Sequence, residues 1–285
     1  MSLEPPPETV WRPLLERALD EDLADAGDIT TDAVVPDHAT ATGNIVAREA
    51  GVVAGLGIST TTFGLLDDAV VVDMTVGDGD RVSAGDTLAV VSGPARAILT
   101  GERVTLNLLG RMCGIATRTA QVVAAVAGTT AVIAATRKTT PGLRALEKYA
   151  VRCGGGTTHR FGLYDAVLIK DNHLVVAGSV TAAVAVARAA VGHLTTVEVE
   201  VTDLDQLDEA LAAGADVILL DNMSLETMRA AVERTGGRAV LEASGGITPD
   251  TVAAVAATGV DVISLGWLTH SAPALDVALD LVEAR

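Results

Sequence analysis

The chain has 285 residues, 49% of them hydrophobic and 20% charged, and carries a formal net charge of −17. That is long and apolar enough for one large or two medium domains with a real core, and too acidic for the broad basic face that nucleic-acid binding needs. No run reaches the roughly 18 apolar residues of a membrane span, and aromatics make up only 2%, so the core must be built from Ala, Val, Leu and Ile.

The first residues, MSLEPPPETV, are acidic and proline-rich, the opposite of a secretory signal, so a cytoplasmic location is expected. Residues 8–25 read as a short helix. From about 40 to 96 the pattern changes to short strands and glycine turns (TGNIVAREAGVVAG, then VVVDMTVGDGDRVSAGDTLAVVSG), which suggests a small β-rich or α/β layer. Part of this segment looks like the hairpins of biotinyl and lipoyl carrier domains. Residues 70–92 contain no lysine to serve as an attachment point, which argues against a carrier. Residues 96–127 lack proline and set Leu99, Val104, Leu106, Leu109, Met112 and Ile115 at helical spacing. One long helix or two consecutive helices are expected there, with Gly110 and Gly114 as weak points. Cys113 and Cys153 form neither a CxxC pair nor a metal spacing and read as buried, reduced thiols.

From residue 131 a second rhythm begins. β-branched runs recur at 131–136, 166–170, 196–201, 216–221, 239–244 and 261–266, and alanine-rich helical stretches separate most of them. Continuous apolar strands alternating with helices predict a parallel sheet covered by helices. Six or seven such units suffice for a (β/α) barrel, with an open doubly wound sheet as the alternative. No GxGxxG follows the first strand, which weighs against dinucleotide binding.

The strand ends carry chemistry. They give Thr136-Arg137-Lys138, Lys170-Asp171-Asn172-His173, Asp221-Asn222, Glu242-Ala243-Ser244-Gly245-Gly246 and Gly266, while TVEVEV places Glu198 and Glu200 on one face of its strand. In a barrel all of these converge on one mouth. Asp221 also suits a helix N-cap. Glu198 reads as a solvated or paired barrel residue. Glu200 in a valine-rich strand is costly to bury alone and is expected to face a cation. The glycines at 154–156, 245–246 and 266 suit phosphate, because backbone N–H groups can approach an anion closely there.

Charge is sorted along the chain as well. The three lysines of the chain are Lys138, Lys148 and Lys170, and the same window holds Arg137, Arg144, Arg152, Arg160, His159 and His173. A cationic segment in an acidic protein points to a small, multiply anionic ligand. Lys170 at a strand end also permits a Schiff-base lyase reading.

The segment TRKTTPGLRALEKYAVRCGGGTTHRFGLYDAVLIKDNH at 136–173 strongly resembles the signature of the quinolinate phosphoribosyltransferase family. The likeness extends to EDLADAGDITT, GERVTLNLLGRMCGIAT, VEVEV, ILLDNM, LEASGGI and LGWLTHSAPALD. The resemblance implies an N-terminal α/β sandwich domain over 1–112 and a C-terminal incomplete TIM-like α/β barrel over 113–285, with the extreme C-terminus packing back on the first domain. It implies transfer of phosphoribosyl from phosphoribosyl diphosphate to quinolinate with decarboxylation, dependent on Mg²⁺, in NAD biosynthesis. It also implies a homodimer or higher homo-oligomer with a shared active site. A nicotinate-type phosphoribosyltransferase is the nearest alternative.

By motif position, Arg103 resembles an arginine donated across the dimer interface. Thr136, Arg137, Lys138, His159, Arg160 and Lys170 resemble the rest of the quinolinate set. Lys138, Glu200 and Asp221 resemble the phosphoribosyl diphosphate set, with Glu200 and Asp221 toward the metal. Lys138, Lys170, Glu200 and Asp221 are the catalytic candidates. Ser244, Gly245, Gly246, Leu265, Gly266 and Trp267 resemble the cradle of the 5′-phosphate. Two positions depart from the family pattern: Thr158 stands where asparagine is frequent, and Trp267 where a small residue is common.

Overall fold

The computed structural model describes residues 3–282. In chain order the elements are α1 (Glu8–Leu23), α2 (Ile29–Val34), β1 (Thr40–Ala47), β2 (Gly51–Val52), α3 (Leu56–Leu66), β3 (Val71–Met74), β4 (Arg81–Val82), β5 (Thr87–Pro94) and α4 (Ala95–Ala125). Then follow β6 (Val132–Ala135), α5 (Arg144–Cys153), β7 (Thr157–Thr158), β8 (Val167–Ile169), α6 (Asp171–Ala177), α7 (Val180–Ala190), β9 (Val197–Val201) and α8 (Leu204–Ala213). The last are β10 (Val217–Asp221), α9 (Leu225–Thr235), β11 (Val240–Ser244), α10 (Val252–Ala256), β12 (Val262–Ser264), α11 (Trp267–His270) and β13 (Val277–Val282).

Two compact units share these elements. The first takes the chain up to Ala120, then Thr139–Gly155, then Leu268 onward; the second takes Gln121–Lys138 and Gly156–Trp267. By compactness the first unit extends to Ala120 and takes in the segment 139–155. That splits the cationic window. Arg144, Lys148 and Arg152 belong to the first unit, while Arg137, Lys138, His159, Arg160, Lys170 and His173 belong to the second.

In the first unit an antiparallel sheet runs β13-β1-β5-β3, and β2 and β4 form a separate ribbon. Ile45 of β1 stands between Ala89 and Leu279. Behind it Leu56, Phe63, Leu88, Ile98 and Leu109 are fully buried, which makes an aliphatic core with a single phenylalanine. Helix α4 is one unbroken helix. Its glycines are not weak points but contact points: a Cβ on Gly114 would lie 1.9 Å from the carbonyl oxygen of Pro273, and Leu275 N donates to Gly110 O at 2.9 Å. Segment 139–155 is held by an ion pair of low exposure. Glu147, 1% exposed, accepts from Arg111 Nε at 3.1 Å and Nη2 at 2.7 Å, and its other oxygen accepts from Thr140 N at 3.0 Å. Arg111 also donates to the carbonyls of Thr269 and Ala272. Gly154 ends α5 and packs on Ala116, so the run 154–156 serves a helix stop and a close contact rather than a phosphate cradle.

The second unit is a parallel seven-stranded sheet in the order β7-β6-β12-β11-β10-β9-β8. Its register sorts every strand into two faces. Val197, Val199, Val201, Ile218, Leu220, Leu241, Ala243, Ile263 and Ile133 lie on the buried apolar face. Glu198, Glu200, Leu219, Asp221, Glu242, Ser244 and Ser264 share the other. Residues 157–158 form the edge strand β7 and pair with Ala134 and Ala135.

Gly114→Ala is expected to lower stability by about 3 kcal/mol, because the obstructing atom is backbone and cannot rotate away. Thermal unfolding checks this; a midpoint within about a degree of the parent would show that α4 and the Pro273 segment are not in contact.

Candidate active site

The polar face of the parallel sheet is where the second unit concentrates charge. Glu200, 8% exposed, accepts from Lys170 Nζ at 2.5 Å. A carboxylate so placed needs a cation beside it, and the residue that ends β8 supplies one. Lys170 also sits at a fixed turn: its backbone N–H donates to His173 Nδ1 at 2.9 Å as the chain enters α6.

On the same face lie Glu242, in register with Glu200 through Leu219, and Glu198, two residues before Glu200 on β9; they are 4% and 3% exposed. His159, just beyond β7, reaches both: its Nε2 is 2.7 Å from Glu198 Oε2 and 3.8 Å from Glu242 Oε2. The other ring nitrogen, Nδ1, accepts from the backbone N–H of Arg160 at 2.8 Å. Both ring nitrogens are thus engaged within the chain. Burial, reinforced by the charge of Glu198, pushes the Glu242 carboxyl from the ordinary 4.5 to about 7, against the pull of His159. Neither glutamate was assigned a role by motif, although their alternation with valine and alanine was visible in the sequence.

Arg160 is anchored by Nη1 on the carbonyl of Ala166 at 3.1 Å, in a loop that Asp165 closes by accepting from Phe161 N and Gly162 N. Burial and then the neighbouring charge of Arg137 pull the Arg160 guanidinium below its ordinary value. Arg137 Nε is buried without a hydrogen-bond partner. Two like charges placed together, one with an unmet donor, can receive an anion that supplies acceptors to both.

The ends of β10, β11 and β12 form a second locus. Asn222 holds a left-handed backbone (φ +54°), donates from N to Ser244 O at 3.0 Å, and donates from Nδ2 to Asp221 Oδ2 at 2.8 Å. Gly245 (φ +89°) is required beside it, since a Cβ there would lie 2.3 Å from Asn222 Oδ1. The helix after β10 is capped by Ser224, so Asp221 is not its N-cap. The turn after β12 is tied to the turn after β11 by Trp267 Nε1, which donates to Ile247 O at 2.8 Å. Leu265 N donates to Ala134 O at 2.9 Å. The stem of Lys138 lies against Gly266, and Lys138 N donates to Thr136 Oγ1 at 3.1 Å. Thr136, Lys138, Ser244, Gly245, Gly246, Leu265, Gly266 and Trp267 are therefore brought to adjoining strand ends. Arg103 belongs to the first unit; it lies on α4 with its side chain 66% exposed, and its nearest carboxylate is that of Glu102 at 3.9 Å.

The sequence and the fold both match those of known proteins. Residues 28–113 match the family described as quinolinate phosphoribosyl transferase, N-terminal domain, and residues 115–280 match the C-terminal domain of the same family. A nicotinate-nucleotide pyrophosphorylase [carboxylating] of Mycobacterium leprae is 48% identical over 278 residues, covering 95% of this chain and 96% of that protein. A probable enzyme of the same name from Bacillus subtilis is 46% identical over 268 residues, covering 94% and 92%. Among solved structures, NadC from Streptococcus pyogenes superimposes with a TM-score of 0.95 at 42% identity, covering 99% of this chain and all of that one. The nicotinate-nucleotide pyrophosphorylase from Francisella tularensis gives 0.93 at 37%, with 99% of each chain covered. The chain belongs to the quinolinate phosphoribosyl transferase family.

Proposed function

We propose that this chain transfers the phosphoribosyl group of phosphoribosyl diphosphate to quinolinate and releases carbon dioxide and diphosphate, leaving nicotinate mononucleotide for NAD biosynthesis. The observation that carries this reading is the Arg137–Arg160 pair, with its buried, unmet Nε, on a chain of this family. Quinolinate is a rigid dianion, and guanidinium forks bind carboxylates in two-point contacts that a point charge does not offer. Lys170 stands by as a further cation.

In the reaction the pyridine nitrogen attacks C1 of the ribose while the C1–O bond to diphosphate breaks. The developing positive charge is shared with an oxocarbenium-like sugar. The C2–carboxylate bond then breaks, carbon dioxide departs, and the electron pair left at C2, stabilised by the adjacent pyridinium, takes up a proton. Neither step calls on a protein nucleophile. The work of the site is alignment and charge placement. Arg137 and Arg160 hold the diacid, with Thr136 and His159 in the same wall. Lys138, beside Gly266, serves the phosphoribosyl diphosphate. The turns at Ser244–Gly246 and Leu265–Trp267 offer backbone N–H groups to the 5′-phosphate.

Glu200 and Asp221 lie on the same face of adjacent strands and offer hard oxygen donors, which suits magnesium; when bound, the ion neutralises charge on the diphosphate. A Schiff-base role for Lys170 is disfavoured, because its Nζ is committed to Glu200 rather than free. The exposed Arg103 is read as a residue given to the active site of a second copy in a homodimer.

The direct test is formation of nicotinate mononucleotide and carbon dioxide from quinolinate and phosphoribosyl diphosphate, with nicotinate as the control acid; no product from quinolinate rejects the assignment. Arg160→Ala is expected to raise the KM for quinolinate about tenfold to hundredfold with little change for phosphoribosyl diphosphate, and Lys138→Ala to do the reverse. Equal effects on both substrates in both variants would contradict the division of labour. Trp267→Phe replaces the indole with a smaller phenyl ring and loses the N–H bonded to Ile247, so the KM for phosphoribosyl diphosphate should rise about fivefold while that for quinolinate stays put. Mixing inactive Arg103→Ala subunits with inactive Lys170→Ala subunits should restore part of the activity; mixtures as inactive as their parents would rule out a shared site.

A further inference from the structure

We propose that Glu198 is a positioning residue: with Glu242 behind it, it holds His159 in the Nε2–H tautomer, so that the bare Nδ1 fixes the backbone of Arg160, the arginine that meets the pyridine diacid. This rests on the substrate reading above and adds to it a residue that grips nothing of the substrate itself.

The geometry fixes the direction of each hydrogen bond. A backbone N–H can only donate, so the 2.8 Å contact from Arg160 N makes His159 Nδ1 an acceptor. In the neutral ring the proton must then sit on Nε2, and the partner there is the Glu198 carboxylate at 2.7 Å. A third histidine contact, His159 N to Ala135 O at 3.0 Å, pins the residue's own backbone to the end of β6. The chain of forces therefore runs from Glu198 through the imidazole to the peptide of Arg160.

His159, Glu198 and Glu242 also lie close enough together to invite a metal, with ligand atoms within 4.8 Å of one another. The hydrogen bonding argues otherwise. Nδ1 is occupied by the Arg160 amide, and Nε2 carries the proton that Glu198 receives, so the ring has no lone pair to give an ion. Both glutamates keep one buried oxygen without a partner, Glu198 Oε1 and Glu242 Oε1. Such groups are expensive to maintain. A sheet that tolerates them beside a substrate arginine gains something other than stability.

Two measurements test this. In the parent protein, nitrogen-15 spectra of the His159 ring, assigned with His159→Gln, should show the Nε2–H tautomer; the Nδ1–H tautomer would overturn the proposal whatever the variants do. In steady-state kinetics, Glu198→Ala should raise the KM for quinolinate about tenfold and leave that for phosphoribosyl diphosphate within about twofold. Glu198→Gln retains an acceptor for Nε2–H and should return the quinolinate KM to within about threefold of the parent. If Gln fares no better than Ala, or both substrates suffer alike, Glu198 is merely structural and the proposal fails. Absence of product from the parent enzyme would instead reject the substrate assignment, since the tautomer is read without turnover.

Discussion

The carboxylates of the parallel sheet are the constraint from which the site follows. Glu198, Glu200 and Glu242 all lie on one face and are all nearly inaccessible to water. Three negative charges in that setting would repel each other and forfeit hydration, a cost of several kcal/mol per ion before compensation. The fold meets this cost in three ways. Glu200 takes the ammonium of Lys170, Glu198 takes the ring N–H of His159, and Glu242 is held protonated to about pH 7. Each partner comes from a strand end other than the glutamate's own. The strand-end residues and the charge balance of the face therefore depend on one another.

This balance has a consequence for substrate. Lys170 and His159 are committed to carboxylates, and Arg137 stands close enough to Arg160 for its charge to lower the proton affinity of the Arg160 guanidinium. A dianion relieves that repulsion on binding. Guanidinium does so with directional donors, which fixes the plane of a rigid aromatic diacid as well as attracting it. A site made only of lysines would attract the same charge and orient it poorly.

Much of this was legible in the sequence because alternation survives in the strands of the second unit. In VEVEV and VLEAS the polar residue recurs at period two among valines, leucines and alanines, so a chemical face was readable without coordinates. Helical spacing after residue 95 was equally plain, though it left one long helix and two consecutive helices open. Other features were hidden for physical reasons. Strand β7 has two residues and no periodicity of its own; its pairing is imposed by β6. Strand β13 pairs with β1, more than two hundred residues away, and ALDVALDLV alone gives no hint of that partner. Helix α5 was masked by its charges, although Leu146, Tyr149, Ala150 and Cys153 mark a buried helical face. The cationic window looked like a single patch because sequence adjacency hides the passage of residues 139–155 into the other unit. Lys148 and Glu147 are structural there, both almost fully buried.

The pairing of Lys170 with Glu200 bears on how decarboxylation can follow glycosyl transfer at all. A carboxylate gripped by an unopposed ammonium is stabilised in the ground state, and the bond to carbon then breaks from a deeper well. Glu200 already holds Lys170 Nζ, so on the proposed reading a substrate carboxylate would meet an ammonium that is paired and would not be gripped with full strength. The carboxylate that must remain can be held by arginine, which has no such competitor at Arg137 Nε. Unequal grip on two chemically similar groups is a route by which one diacid loses a chosen carboxylate. On the proposed reading it requires the acidic residues as much as the basic ones, which gives the buried glutamates of this face a part in the chemistry.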